Sequence, residues 1–116
     1  MINELTSQAE FDEILRTSTP RPVFLFKHST ACSTSTGAWR DFQRLAETEA
    51  RADYWRVLVI ENRALSQQVA KQTSLRHESP QVLLFHKGRV VWHESHWRIS
   101  VKALQKSLEV LLAPVA

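Results

Sequence analysis

The sequence predicts an α/β fold in which a four-stranded mixed sheet carries helices on both faces. Three observations lead there. Two dense apolar runs, residues 23–26 and 55–60, read as strands covered on both sides. A helical pattern lies between them, the mark of a right-handed βαβ unit with parallel strands. Further along, Val82-Leu83-Leu84-Phe85 and Val90-Val91-Trp92 flank Lys87-Gly88, a tight-turn signal that predicts an antiparallel hairpin.

Taken in order, Ser7-Gln8-Ala9-Glu10 fits a capping box, with Ser7 as N-cap and Glu10 reaching back to it. Phe11, Ile14 and Leu15 then share one helical face, so a helix is expected over residues 7–17. Pro20 and Pro22 end it, and Pro22, which has no N–H to donate, suits the first position of a strand. Residues 22–27 should form a central strand. Ala38, Phe42, Leu45 and Ala46 repeat at helical spacing to about residue 50, and Thr34, Ser35 or Thr36 could cap that helix. Residues 55–60 supply the second buried strand. Leu65, Val69 and Ala70 mark a helix over roughly residues 63–74, with Asn62 at its cap. After the hairpin, Ser100 can cap a helix whose apolar set is Val101, Leu104, Leu108, Leu111 and Leu112, the clearest amphipathic pattern in the chain. This order of elements is the thioredoxin-like arrangement, expected as a single domain over residues 1–116.

Composition narrows the function. The chain has 116 residues, 43% hydrophobic and 23% charged, which suits one globular domain rather than a disordered segment. A net charge of +3 without any basic run or stripe does not point to nucleic acid. No apolar run approaches membrane-spanning length, and Met-Ile-Asn-Glu-Leu-Thr-Ser lacks the basic and apolar regions of a signal peptide. The single cysteine rules out an internal disulfide and a Cys-rich zinc site. A cytoplasmic protein is expected, with its thiol kept reduced.

That cysteine lies in Lys27-His28-Ser29-Thr30-Ala31-Cys32-Ser33-Thr34-Ser35-Thr36, between the first buried strand and the helix after it. A strand-to-helix turn puts the thiol at a helix N-terminus, where backbone N–H groups and the helix dipole favour the reactive thiolate. A free cysteine is more often a small buried hydrophobe. Here, however, six of the eight residues from Ser29 to Thr36 are Ser or Thr, which do not build a core. Cys32-Ser33-Thr34-Ser35 keeps the spacing of a two-thiol Cys-x-x-Cys motif but has a hydroxyl in the second position. A single thiol can open a mixed disulfide, carry one half of it, and wait for an external thiol to release it. Ser35 is expected either to hydrogen-bond the Cys32 sulfur or simply to cap the helix. Ser79-Pro80 opens the third strand, where proline can mark a simple strand entry. The thioredoxin-like arrangement usually holds a cis-proline here beside the cysteine, which implies a cis bond with the Ser79 backbone facing the substrate disulfide. His28 reads either as a cation or proton donor near the sulfur or as a solvated loop residue; His77 and Glu78 could polarise the same pocket. His93 and His96 lack the further ligands of a metal site, so none is expected. Trp92 and Trp97 read as core and rim packing.

Three separated stretches carry a resemblance: Lys27-His28-Ser29-Thr30-Ala31-Cys32, His77-Glu78-Ser79-Pro80-Gln81-Val82 and Trp92-His93-Glu94-Ser95-His96-Trp97. In register over nearly the whole chain, they are similar to the YtxJ family, described as monothiol bacilliredoxins with a thioredoxin-like fold. The resemblance implies that Cys32 attacks protein–bacillithiol mixed disulfides, freeing the protein thiol and retaining bacillithiol. With Cys32 as the attacking thiol and Ser35 as the catalytic hydroxyl that stabilises its anion, the residues expected around the substrate are Lys27, His28, Thr30, Ser33, Ser79, Pro80 and His96. Bacillithiol would be a thiol co-substrate rather than a bound cofactor, and the partners would be bacillithiolated proteins. The family usually has proline after the cysteine; Ser33 stands there instead, adding an N–H and a hydroxyl to the first helical turn. Lys27, Arg63, Arg76 and Arg98 would give the pocket a basic rim for the carboxylates of bacillithiol. Two other classes fit the same residues: a non-catalytic thioredoxin-like adaptor, and an iron–sulfur carrier that shares Cys32 across a dimer.

Overall fold

Every residue of the strand Val23–His28 is buried, and its alternation divides the core in two. The computed structural model describes residues 1–114; residues 115 and 116, the end of the expected domain 1–116, lie outside them. The elements are β1 (Ile2–Glu4), α1 (Gln8–Thr17), β2 (Val23–His28), α2 (Ser33–Thr48), β3 (Asp53–Leu58), α3 (Arg63–Thr73), β4 (Gln81–His86), β5 (Arg89–Ser95), a 3-10 turn (His96–Arg98) and α4 (Val101–Leu112). The strands lie in the order β1-β3-β2-β4-β5. β1, β3 and β2 are mutually parallel; β4 runs antiparallel to β2, and β5 antiparallel to β4.

Val23 and Leu25 join Leu83 and Phe85 beneath α1 and α3, where Phe11, Ile14 and Val69 close one core. Phe24 and Phe26 join Val82 and Leu84 on the other face, closed by Phe42 and Leu45 of α2 and Leu104 and Leu108 of α4. Both faces are thus covered, as the continuous apolar runs require.

The sheet has five strands rather than the expected four. β1 is only three residues long, too short to show a period, and pairs with residues 54–56 of β3. β3 itself starts at Asp53, ahead of the expected residues 55–60, and Ile60 lies past its end, 52% exposed. Within β3, Tyr54 and Val57 are buried and the other four residues are partly buried. Arg56 interrupts the apolar run and pairs with Glu4 across the two strands, Nε to Oε1 2.7 Å.

The caps follow local chemistry with two changes. Ser7 caps α1 by accepting from the Glu10 N–H at 3.2 Å, but Glu10 reaches Thr6 instead, accepting from its N–H at 2.9 Å. The cap of α2 is Cys32, ahead of the expected Thr34, Ser35 or Thr36. Ser100 caps α4 through the Ala103 N–H at 3.1 Å. In the β4–β5 turn both Lys87 (φ 56°) and Gly88 (φ 79°) adopt positive φ, as a two-residue hairpin of this hand demands. The Gly88 N–H donates to Ser18 Oγ at 2.9 Å, docking the turn onto the end of α1.

Candidate functional site

The parallel strands β2 and β3 deliver their C-terminal ends to the same edge at which β4 begins. Cys32, the turn before Pro80 and the 3-10 turn therefore meet at one end of the sheet. Cys32 sits in extended conformation at the N-cap of α2 and is partly exposed. Its carbonyl accepts the first helical bond, from the Thr36 N–H at 3.2 Å. The neutral thiol, a weak acceptor, makes no capping bond. Its ionised form does better. The Ser35 N–H foremost, then the Thr34 N–H and the Thr34 hydroxyl, hold the pKa of Cys32 below the ordinary thiol value, against a smaller opposing effect of burial. A negative sulfur at the positive end of a sixteen-residue helix is the arrangement that makes a thiol a nucleophile.

Ser35 contributes its amide to the sulfur and its hydroxyl elsewhere. The side chain is fully buried, 2.8 Å from His28 Nδ1, and its oxygen accepts from the Ser29 N–H at 3.0 Å. The expected hydroxyl–sulfur bond gives way to a tie between the first turn of α2 and the end of β2. His28 is neither solvated nor a cation. It is 5% exposed, and burial, then the charge of Arg56, lower its pKa, so it is neutral at pH 7. Its ring stacks on Trp39 (centroids 5.2 Å apart, planes at 20°), and the Arg56 guanidinium lies 4.9 Å from the centre of the Trp39 ring. The Ser35–His28–Trp39–Arg56 series is a scaffold beneath Cys32, and sequence reasoning missed its last two members. Helical spacing put Trp39 beside Ala38 and Phe42, but the aromatic contact to a residue of β2 needs the tertiary fold.

Removing the Ser35 hydroxyl leaves the Ser29 N–H and His28 Nδ1 without that partner in a dry site. Ser35→Ala is expected to lower stability by about 1–3 kcal/mol, the usual cost of unpaired buried groups. Turnover should remain measurable, because the amide that faces the sulfur stays. Urea unfolding together with the pH midpoint of Cys32 alkylation checks this: the first falls, and the second stays below that of free cysteine. A midpoint raised to the free-thiol value would give the hydroxyl a direct role.

The Ser79–Pro80 bond is cis, and the Pro80 carbonyl accepts from the His96 N–H at 3.0 Å, which binds the 3-10 turn to this loop. His96 adopts φ 55° to make that turn. Thr30 and Ser33 flank Cys32, Thr30 exposed, and Pro80 is buried. Lys27 departs furthest from expectation. As part of a basic rim it should be exposed; instead it is fully buried, since an odd-numbered position of β2 points into the α1/α3 core. Its Nζ lies 3.2 Å from Nδ1 of the exposed His77. Trp92 packs partly against the α2/α4 core, whereas Trp97 is 83% exposed and packs into no core. Among the described residues no group of three or more His, Cys, Asp or Glu side chains is placed to hold a metal ion, and no helix is long and apolar enough to cross a membrane.

Residues 3–104 match the family model described as monothiol bacilliredoxin BrxC. A solved structure described as a putative oxidoreductase with a thioredoxin fold is 33% identical, with a TM-score of 0.84, over 93% of this chain and 94% of that one. A mutant thioredoxin from Halobacterium salinarum NRC-1 superposes with a TM-score of 0.78 at 23% identity, over 99% of this chain and 94% of its own. The thioredoxin Mala s 13 of Malassezia sympodialis gives 0.75 at 18% identity, over 95% and 90%. The last two likenesses are of fold alone.

Proposed function

The chain belongs to the monothiol bacilliredoxin family, with a thiol–disulfide redox role, and from that premise we propose that Cys32 removes bacillithiol from protein mixed disulfides. One observation carries the reading. The single thiol stands at a helix N-terminus with its thiolate favoured, and the place of a second thiol is taken by Ser35, whose hydroxyl faces inward.

The chemistry is two exchanges. The Cys32 thiolate attacks the bacillithiol sulfur of the mixed disulfide; a new S–S bond forms as the old one breaks. The electron pair leaves on the protein sulfur, which takes a proton from water. A second low-molecular-weight thiol, as its thiolate, then attacks the bacillithiol sulfur held on Cys32. That step returns the Cys32 thiolate and leaves a disulfide of the two small thiols. Chain residues orient the first attack: Ser35 and Thr34 hold the anion, and Ser79 and Pro80 offer the backbone against which the incoming disulfide lies. Arg63, Arg76 and Arg98 supply positive charge for the carboxylates of bacillithiol. The exposed Trp97 offers apolar surface to the protein half. A nucleophile of this kind needs a reducing compartment, and the reading assigns the protein to the cytoplasm.

The test is a reporter protein carrying one bacillithiol adduct, incubated with the protein and free thiol. Release of the reporter thiol well above the uncatalysed rate is expected. Equal removal of a plain cysteine adduct and the bacillithiol adduct would leave a general exchange protein and overturn the bacillithiol assignment.

A further inference from the structure

The buried Lys27 is unused by the chemistry above, and its surroundings assign it a task. In the β2–β4 ladder Lys27 stands opposite Gln81, the residue after Pro80, and the two occupy the same face of the sheet. Both are buried, Lys27 fully and Gln81 to within 2%. Both reach the same loop from inside, Lys27 at a side chain and Gln81 at the backbone. Lys27 Nζ meets His77 Nδ1 at 3.2 Å, and the Gln81 Nε2 donates to the Arg76 carbonyl at 3.1 Å. Residues 76–80, the approach to the substrate-facing Ser79–Pro80 backbone, are thus held at two points by side chains rooted in the sheet.

We propose that Lys27, with Gln81, is a positioning residue that fixes residues 76–80 against Cys32 and so governs how well the disulfide partner binds, an inference that rests on the exchange reading. A buried ammonium is costly to keep, and a hydrophobic residue in this core would avoid that cost. Among the described residues its ammonium meets a loop histidine, which gives the cation a purpose that packing does not.

Protonation gives the clamp two limits. Burial lowers the pKa of Lys27 to about 8, so the charge-assisted bond weakens as pH rises through that value. His77 must present an unprotonated Nδ1. Burial first, then the charges of Lys27 and Arg63, lower its pKa, while Glu78 opposes them. The acid limit therefore lies below the ordinary histidine value. β3 presents Val57 and β4 presents Gln81 to Lys27, neither of them charged.

The experiment measures KM for a bacillithiolated reporter from pH 5 to 9 in the wild type, Lys27→Met and His77→Ala, alongside the rate of Cys32 alkylation. His77 is exposed, so His77→Ala tests the clamp even if Lys27→Met fails to fold. In the wild type KM should be lowest between the two limits. In each variant it should rise roughly ten- to a hundredfold at pH 7, the loss of about one charged hydrogen bond, with both pH limits flattened and alkylation unchanged. Lys27→Arg, which keeps the charge, should restore part of the affinity. An unchanged KM in His77→Ala, or alkylation that moves in step with KM, overturns the proposal. A wild type that does not act on the bacillithiol adduct at all would instead refute the exchange reading; the clamp can then be read with bis(2-hydroxyethyl) disulfide.

Discussion

Cys32→Ala is expected to reduce exchange to the uncatalysed rate, while the protein keeps its fold. No other residue can replace it, because the chain has no second thiol. The side chain is partly exposed and the neutral thiol makes no capping bond, so its loss creates no large cavity. Activity and stability should therefore separate cleanly: release of the reporter thiol vanishes, and the urea midpoint moves little. Residual turnover near the wild-type level would show that the chemistry resides elsewhere. Ser35→Ala gives the opposite pattern, with stability lost and turnover kept, so the pair distinguishes the nucleophile from the scaffold that holds it.

Phe42→Ala should cost roughly 3–5 kcal/mol, the range for removing a buried aromatic from a packed core. Phe42 is fully buried and touches Phe24, Phe26, Trp39 and Tyr54, with ring centroids 5.2–6.3 Å apart. Four rings around one position leave little freedom to collapse into the cavity, which favours the upper part of that range. Against a whole-domain stability of about 5–15 kcal/mol, the loss is between a fifth and all of the total. The urea midpoint should fall at unchanged slope. The site would suffer as well, since Trp39 stacks on both Phe42 and His28. A loss below about 1 kcal/mol would mean that the cluster repacks freely.

The fold is legible in the sequence wherever an element is long enough to show its period. β2, α2, α4 and the β4–β5 hairpin are where the apolar runs and turn residues place them, because those residues build the two cores directly. β1 is illegible for the same reason in reverse: three residues carry no period, and only pairing with β3 makes Ile2 and Glu4 part of the sheet. At the site, the strand-to-helix turn and Cys32 can be read because hydroxyl residues seldom build a core, but the cap cannot: it is Cys32, ahead of Thr34, Ser35 and Thr36. The orientation of Ser35 cannot, since its amide and its hydroxyl point to different partners once α2 begins at Ser33. Lys27 misleads because a charged residue at the end of an apolar run reads as an exposed end. Strand alternation instead turns it inward beside Leu25, and its partner His77 is fifty residues away. Arg56 hides inside a run that looks apolar, although it forms both the Glu4 pair and the contact over Trp39.

The central claim is that one thiolate takes bacillithiol from a protein and yields it to a second thiol. Intact mass of the protein after exposure to a bacillithiolated reporter tests it most directly. A single added mass equal to bacillithiol is expected, located on Cys32, lost on addition of free thiol and absent from Cys32→Ala. Recovery of the reporter thiol with no such adduct, or a stable reporter–Cys32 disulfide in its place, would contradict it.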